Sequence, residues 1–432
     1  MLSVDLEFDL CGRVWPFHIA MMLNQNPFSR RDLIKKAAGA GVGLIAVRGL
    51  PGRTKVSDAG NSTIDSWCEQ LAKHKIEKIE RRTVQNRWPR LVSRNSRKGV
   101  HGWGYKAQVA LVYTDTGVMG WGLASGMGKS GASELTELYR GKAVTDLFNP
   151  ALGTHDDVPK WIDLALHDLA GMILDLPVFV MIGGDEPKSV PCYSGMIYFD
   201  DIEPLEEPPG IEQVLFNAGA DFMFGYRQMK IKVGRGAKWM DRGAGLQRDI
   251  EVTNALAKAY PEVKFLADAN DGYNVDETIS YLDAIDTELL FMEEPFRENE
   301  VDFAALRQNL DSKRLKTLIA DGEDDPDAGL LDILIERDLL DVHLTDLYGL
   351  GFTNWRKLMP SLIKRGVQAS PHTWGHRLKT VYTAHLSSGL GNVLTVEGVT
   401  AFSKDIDFSD YNPDERGNIS PPDKPGFGLT LR

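Results

Sequence analysis

Residues 264–268 (KFLAD) and 289–293 (LLFME) decide the fold class. Each stretch is a short apolar run that ends abruptly in a carboxylate. Comparable runs begin near residues 191, 228, 264, 289, 317, 341, 367 and 393, and most of the gaps hold helical patterns, as at 246–259 and 329–337. Eight strands that alternate with helices predict a parallel sheet, and their number fits a (β/α)8-type barrel. A doubly wound open sheet is the alternative, although no strand here ends in the G-x-G-x-x-G turn by which such a sheet binds dinucleotides.

Four parts are predicted along the chain, at residues 1–60, 61–187, 188–400 and 401–432. In the first, Arg30 and Arg31 precede a small apolar run at 37–47, which is the layout of a twin-arginine export signal, and a linker is predicted at 51–61. We therefore predict an exported, periplasmic protein, with a cytoplasmic location as the alternative. The second part has the strand-like and helical segments of an α+β domain. The third holds the eight strands, and the fourth is a C-terminal segment.

The composition excludes several classes of protein. With 43% hydrophobic and 25% charged residues, the 432-residue chain is typical of a globular protein. Its 61 acidic residues outnumber 49 basic ones and give a net charge of −12, so we expect no nucleic-acid partner. Three cysteines are too few for a disulfide scaffold. Since no apolar run reaches the ~18 residues of a membrane-spanning helix, we expect no membrane span.

Polar or ionisable side chains stand at the carboxyl ends of most of the predicted strands. In a barrel of this type these ends line one pocket, where the active site lies. An apolar strand that finishes in a charge is hard to explain by packing, because a buried unpaired charge is unfavourable. The candidate site residues are Lys230, Lys232, Asp268, Asn270, Glu293, Glu323, Asp346, His372 and Glu397.

Asp268, Glu293 and Glu323 follow consecutive strands and are predicted to converge. Three neighbouring carboxylates must take up a proton or bind a cation. Because ligation by oxygen alone suits a hard divalent ion, we predict Mg2+, with Mn2+ as a second possibility. A single acid would be explained more simply as a helix cap or a surface ion pair, but three acids in register favour a metal site.

Two pairs of residues are candidates for acid–base chemistry. Lys230 and Lys232 are two apart on one strand and face the same side, and we expect their repulsion and a nearby cation to lower the pKa of one of them. A lowered pKa would suit a general base. His372 and Asp346 follow adjacent strands, where an aspartate can orient an imidazole. The alternative for the two lysines is that they extend to the barrel rim, and the alternative for His372 is a structural role.

Together these residues resemble the enolase superfamily and, within it, the mandelate racemase-like branch. The Lys-x-Lys, Asp-x-Asn, Glu-Glu-Pro, Gly-Glu and Asp…His motifs occur in family order over roughly residues 70–400. The resemblance implies an α/β fold of enolase type. Its parts are a (β/α)7β modified TIM barrel and an N-terminal α+β capping domain, to which residues 401–432 return.

The resemblance also implies abstraction of the proton α to a carboxylate, which gives an enediolate stabilised by Mg2+. By position, Asp268, Glu293 and Glu323 resemble the metal ligands of the family. The family implies a small-molecule carboxylate as substrate and a homo-oligomeric assembly.

The remaining residues take their implied roles from the same motifs. Lys232 resembles one base, with Lys230 beside it as a residue that tunes it. The His372–Asp346 pair resembles the base or acid on the opposite face of the substrate. Glu397 resembles the acid that hydrogen-bonds the substrate carboxylate, and Asn270 resembles a substrate contact.

From this resemblance we predict an acid-sugar dehydratase, a hydro-lyase that eliminates water from a sugar acid. A racemase or epimerase of a 2-hydroxy acid is the first alternative, because bases on both faces would also allow a proton to leave one face and return to the other. A non-catalytic exported sugar-acid binding protein is the second. A metal hydrolase is disfavoured because the first strand, at 191–194, lacks His-x-His. The polar segment at 87–105 is expected either to cover the site or to form a solvated hairpin tip.

Overall fold

The computed structural model describes residues 58–128, 130–323 and 325–432. The predicted export signal and most of the predicted linker lie outside these residues, so the location of the protein stays a prediction. Within the described ranges, no helix combines the length and the apolar character needed to cross a bilayer.

An antiparallel sheet and its helices precede the barrel. Strand β1 (Ile76–Val92) pairs with β2 (Gly102–Thr114), and β2 pairs with β3 (Met119–Leu123). Much of β1 alternates between buried and exposed residues, which shows that one face of the sheet is covered. The other elements of this region are α1 (Asp58–Leu71), α2 (Gly131–Tyr139), β4 (Phe148–Asn149), β5 (Gly153–Thr154), α3 (Asp163–Leu174) and α4 (Val178–Met181).

Helix α1 begins inside the segment predicted as a linker, and there the prediction was wrong. Ile64, Trp67 and Leu71 are spaced for one face of a helix, and this period outweighs the Gly, Ser and Asp residues that suggested a linker. Leu71 is fully buried, and the Gln70 side chain donates to the carbonyl of Ile173 in α3. Helix α1 therefore packs on α3.

In the described residues between 190 and 398, eight parallel strands alternate with seven connecting helices. The strands are β6 (Val190–Ile197), β7 (Gln228–Lys232), β8 (Lys264–Asp268), β9 (Phe291–Glu293), β10 (Leu318–Asp321), β11 (Val342–His343), β12 (Gln368–Ala369) and β13 (Val396–Gly398). The helices are α5 (Ile211–Phe224), α6 (Arg242–Ala259), α7 (Val275–Ala284), α8 (Glu300–Lys313), α9 (Ala328–Glu336), α11 (Phe352–Arg365) and α12 (Arg377–Leu390), and a short α10 (Leu347–Leu350) precedes α11.

The strands follow one another around the sheet in chain order from β6 to β12, and β13 lies beside β6. A parallel bridge between Ala369 and Val393 joins the two edges, and Ala369 there donates to Asn392 and accepts from Leu394 through backbone groups. This closure excludes the doubly wound open sheet. The predicted (β/α)7β barrel with an N-terminal α+β domain is confirmed, while the predicted domain boundaries stay predictions.

The C-terminal segment leaves the barrel and returns to the antiparallel sheet. Strand β14 (Phe402–Ser403) pairs with β1, and β15 (Asn418–Ile419) pairs with β6. The amide of Phe427 donates to Asp168 Oδ1 in α3, and the Oδ2 atom of the same carboxylate accepts from the amide of Trp121 in β3. One buried carboxylate thus joins the C-terminal segment, a helix and the sheet.

Strand β3 and helix α3 approach each other closely at two glycines. A Cβ atom on Gly120 would overlap the backbone of Leu169, and one on Gly122 would overlap the side chain of Leu164. Close-packed interiors tolerate such extra volume poorly. The close approach therefore requires glycine at both positions.

We expect Gly120→Ala to lower the free energy of unfolding by about 1–3 kcal/mol, because the added methyl group must push the helix away from the sheet. Urea unfolding followed by circular dichroism measures the change. Gly128→Ala is the control, since a Cβ atom there meets nothing within 4 Å. We expect this control to change the free energy by less than about 0.5 kcal/mol. Equal unfolding midpoints for the two variants would contradict the tight contact.

Candidate active site

A cavity of about 220 Å3 opens at the carboxyl ends of the barrel strands. Predicted site residues and a loop between β1 and β2 line it together. The lining residues are Asn270, Glu323, Asp346 and His372 from the barrel, and Asn95, Arg97 and Lys98 from the loop. The other predicted site residues, Lys230, Lys232, Asp268, Glu293 and Glu397, are almost completely buried.

The structure brings together the three carboxylates that were predicted to converge. One oxygen atom from each of Asp268, Glu293 and Glu323 lies within 4.8 Å of the other two. In the described part of the chain, Glu293 Oε2 and Glu323 Oε2 are buried and have no hydrogen-bond partner. Burial, followed by the negative charge of Asp268, raises the pKa of Glu293 well above its usual value. Acids held this close need additional positive charge to remain ionised.

Two buried ammonium groups supply part of that charge. Lys230 Nζ lies 2.7 Å from Glu293 Oε1 and 3.2 Å from Asp268 Oδ2. Lys232 Nζ contacts Asp268 Oδ2 and donates to Asn270 Oδ1 at 3.1 Å. Burial lowers the pKa of both lysines, but the neighbouring carboxylates outweigh it and raise both. For the protein chain alone, Asp268 acts on the pKa of Lys232 more strongly than Lys230 does. The expected lowering depends on a nearby cation as well and stays a prediction.

The balance of charges among the buried groups indicates the charge of the ion that this site could bind. The four carboxylates of Asp268, Glu293, Glu323 and Glu397 outnumber the two ammonium groups of Lys230 and Lys232, and Glu294 adds a further carboxylate close to Asp268 and Glu323. With every carboxylate ionised, negative charge remains in excess, and a divalent cation would offset it. The two unpartnered carboxylate oxygens provide ligands of the kind that a hard ion such as Mg2+ prefers.

His372 and Asp346 lie together as expected, and a third residue joins them. His372 Nδ1 is 3.0 Å from Asp346 Oδ2, and His372 Nε2 is 3.1 Å from Glu323 Oε1. Lys379, in the first turn of α12, donates to the same Asp346 oxygen at 2.5 Å. Burial would raise the pKa of Asp346, but Lys379 and His372 hold it well below its usual value. Asp346 is therefore an anion that can orient the imidazole.

The amine and the imidazole approach the three carboxylates from different sides. Lys232 contacts Asp268, whereas His372 contacts Glu323. Lys232 belongs to the second strand of the eight-stranded ring and His372 follows the seventh, and these positions lie across the barrel mouth from each other. Groups placed in this way can act on the two faces of one substrate carbon.

Glu397 and Asn270 are held in place by the groups around them. Glu397 Oε2 accepts from the amides of Thr373 and Trp374 at 2.7 and 2.8 Å, and Oε1 lies 3.0 Å from Lys230 Nζ. Burial would raise the pKa of Glu397, but Lys230 outweighs it, and the pKa falls to about 2. An ionised Glu397 accepts hydrogen bonds, so donation to a substrate carboxylate would require it to gain a proton. Asn270 has a φ angle of 43°, a strained conformation that is common at functional sites.

The polar segment at 87–105 covers the site. Asn95 Nδ2 donates to Asn270 Oδ1 at 2.9 Å, which connects the loop to the end of β8. Trp88 stacks on Trp374, two residues beyond His372, with 5.3 Å between ring centroids. The α+β domain therefore forms a cap over the barrel mouth, and the alternative of a solvated hairpin tip does not hold.

The strand-end pattern in the sequence does not identify three buried polar residues of this site, Tyr198, Glu294 and Lys379. Tyr198 comes directly after β6, which continues to Ile197 rather than ending at residue 194. An extended strand would have placed Tyr198 at a strand end, where the other candidates were found. Glu294 accepts from Asn270 Nδ2 at 3.2 Å and was noticed only as part of the Glu-Glu-Pro motif. Lys379 lies in a helix, where the strand-end pattern gives no signal.

Comparisons with known proteins agree with this geometry. The family model described as enolase C-terminal domain-like matches residues 218–432. A structure of galacturonate dehydratase from a Geobacillus species, complexed with D-galacturonate and 5-keto-4-deoxy-D-galacturonate, is 30% identical with a TM-score of 0.77, over 83% of this chain and 95% of that chain. A mandelate racemase/muconate lactonizing protein, also from a Geobacillus species and complexed with magnesium and tartrate, is 30% identical with a TM-score of 0.78, over 84% and 94%.

More distant curated relatives are enzymes of several kinds. Arabinonate dehydratase from Saccharolobus solfataricus is 22% identical over 63% of this chain and 69% of its own length. Other relatives are a cycloisomerase and two epimerases. Similar chains therefore include enzymes that eliminate water and enzymes that move a proton.

We expect Mg2+ to bind the three carboxylates and to raise the melting temperature of EDTA-treated protein. A ligand that binds only the folded state stabilises it by about 2.7 kcal/mol at 100 times its Kd. Glu293→Gln removes one anionic ligand and should abolish most of the Mg2+-dependent shift, which differential scanning fluorimetry measures. Glu336→Gln, at the exposed end of α9, is the control and should keep the full shift. A full shift in Glu293→Gln would contradict the assignment.

Proposed function

The chain belongs to the enolase superfamily and is an enzyme, either a lyase or a racemase or epimerase, and we propose that it is a Mg2+-dependent acid-sugar dehydratase. Its proposed substrate is a small hydroxylated carboxylate. The enzyme would remove the proton on the carbon next to the carboxylate and the hydroxyl group on the following carbon. These groups leave as water.

One observation carries this proposal: an amine and an imidazole flank a cluster of three carboxylates. Lys232 lies beside Asp268, and His372 lies beside Glu323. A binding protein has no need of two proton-transfer groups on opposite sides of a ligand site. An enzyme that breaks a C–H bond on one side and assists a second proton transfer on the other side needs both.

In the proposed reaction Lys232, in its neutral form, accepts the α-proton on one face of the substrate, and a cation bound by Asp268 would favour that neutral form. On the other face, His372 is held by Asp346 and is placed to give a proton to the departing hydroxyl group. In this reaction a C–H bond and the neighbouring C–O bond break, and a C=C bond forms. The resulting enol then rearranges to a ketone, so the products are water and a keto acid.

Asp268, Glu293 and Glu323 are the residues that would hold the metal ion. When bound there, the divalent cation supplies positive charge that stabilises the charge developing on the substrate carboxylate and weakens the attraction of Asp268 for the Lys232 ammonium. Lys230 adds a fixed positive charge beside Glu293. The manganese alternative and the homo-oligomeric assembly stay predictions.

Racemisation or epimerisation is the second candidate function. The same two flanking groups favour it, because one could remove a proton and the other could return a proton to the opposite face. Dehydration is preferred because a 30%-identical structure is a galacturonate dehydratase that covers most of this chain. D-galacturonate and related uronates are therefore the first substrates to test.

We expect the protein, incubated with Mg2+ and a panel of sugar acids in D2O, to form a keto acid from at least one of them. Proton NMR measures both the loss of the α-proton signal and the appearance of product, and EDTA should stop both. Deuterium incorporation with inversion, but without a keto acid, would replace the dehydratase with the epimerase. Neither change with any acid would contradict both functions.

The two flanking groups should be separable by mutation. We expect Lys232→Ala to slow removal of the α-proton by about 10²- to 10⁴-fold, because the general base is lost. In a dehydratase, His372→Asn should slow product formation more than α-proton exchange, since it removes the group that protonates the leaving hydroxyl. Lys264→Ala is the matched control, because this lysine lies at the opposite end of the neighbouring strand β8. Equal losses of exchange and product in His372→Asn would argue against its role as the acid.

A further inference from the structure

Tyr198 is a buried side chain at the barrel mouth that has no part in the mechanism above. It follows β6 directly, at the same end of the barrel as the other site residues, and it is 1% exposed. Among the residues that the structure describes, its hydroxyl group has no hydrogen-bond partner. A buried donor without an acceptor is unfavourable and is rare in native proteins. The hydroxyl group therefore needs a partner that the chain itself does not provide.

The charged groups near the Tyr198 hydroxyl are those of the active site. Burial raises the pKa of Tyr198 well above its usual value, and the next contributions come from Lys230, Glu323, Glu397 and Asp268. These four residues belong to different strand ends, and the Lys232 ammonium lies 5.5 Å from the centroid of the Tyr198 ring, so this side chain lies beside the charged groups of the site. A phenol in this environment remains protonated and can act as a hydrogen-bond donor.

The ring of Tyr198 is fixed from several sides. His101 meets it edge-on at 4.9 Å between centroids, and Trp374 lies at 5.0 Å. The Lys232 ammonium lies 5.5 Å from the ring centroid. The position of the hydroxyl oxygen is therefore set before a substrate arrives, and donors held in place in this way contribute strongly to the stabilisation of developing charge.

We propose that the Tyr198 hydroxyl group donates a hydrogen bond to a carboxylate oxygen of the bound substrate and is a catalytic residue. The inference rests on the proposed function, because it takes the substrate to be a carboxylate bound beside Asp268, Glu293 and Glu323. Negative charge grows on the carboxylate oxygens as the α-proton leaves, and a donor directed at them then binds more strongly. An ordered water molecule is the competing partner of the hydroxyl group.

Tyr198→Phe tests this proposal cleanly, because it keeps the ring and removes only a hydroxyl group without a partner in the chain. We expect kcat/KM for dehydration to fall about 10- to 100-fold, mainly through kcat, while the urea unfolding midpoint stays unchanged or rises. Tyr281→Phe is the matched control. The Tyr281 hydroxyl group is bonded to Thr253 Oγ1 at 2.8 Å, between α6 and α7, so its loss should lower the unfolding midpoint and leave kcat/KM unchanged.

The possible outcomes separate this inference from the proposed function. An active wild type with unchanged kcat and KM in Tyr198→Phe would overturn the inference in favour of a water molecule, while the function stands. If the wild type makes no keto acid, the proposed dehydratase function fails. The role of Tyr198 as a donor to a carboxylate is then tested by calorimetry, which measures the Mg2+-dependent binding of tartrate. Tartrate affinity that is about 10-fold lower in Tyr198→Phe than in the wild type supports the inference. Equal affinities of the two proteins, or no binding of tartrate by the wild type, overturn it.

Discussion

The excess of negative charge buried at the barrel mouth is the constraint on which the rest of the structure depends. Carboxylates taken out of water repel one another, and the two lysines of β7 offset only part of that repulsion. The closed barrel makes the arrangement possible, because most strands contribute an apolar stretch to the interior and one or two charged residues at or just after their carboxyl end. The same arrangement creates both a position for a cation and two flanking groups that can exchange protons with a ligand.

The barrel and much of its site could be predicted because both depend on a local pattern, a short apolar run followed by a charged residue. The runs at 264–268 and 289–293 show the strands, and the acids that end them show the site. Tyr198 could not be found in this way, because a register irregularity between Ser194 and Ile197 continues β6 beyond its apparent end. Lys379 could not be found either, because it lies in a helix and contacts Asp346 only in the folded protein. No spacing in the sequence indicates this contact.

Helix α12 connects the chemistry to the cap. Lys379 in its first turn contacts Asp346, and one turn later the Tyr382 hydroxyl group accepts from the amide of Leu123 in the antiparallel sheet. The amide of Arg377, at the start of the same helix, donates to the Tyr105 hydroxyl group at the end of the covering segment. One rigid element therefore fixes the acid–base pair and the cap relative to each other, which suits a site that needs its groups in place before a ligand enters.

The return of the C-terminal segment to the antiparallel sheet affects how the protein is made. Strand β1 acquires its neighbour β14, and Asp168 its contact with Phe427, only after the whole barrel has been synthesised. Domains built from one continuous stretch can fold as they leave the ribosome, starting from the amino terminus. Here the antiparallel sheet must wait, with one edge open, for residues 402 and 403, which follow the barrel in the sequence. Folding of this sheet during synthesis therefore stays incomplete until residues beyond the barrel have been made, and the open edge of β1 is the part of the nascent chain that most needs protection from pairing with another strand.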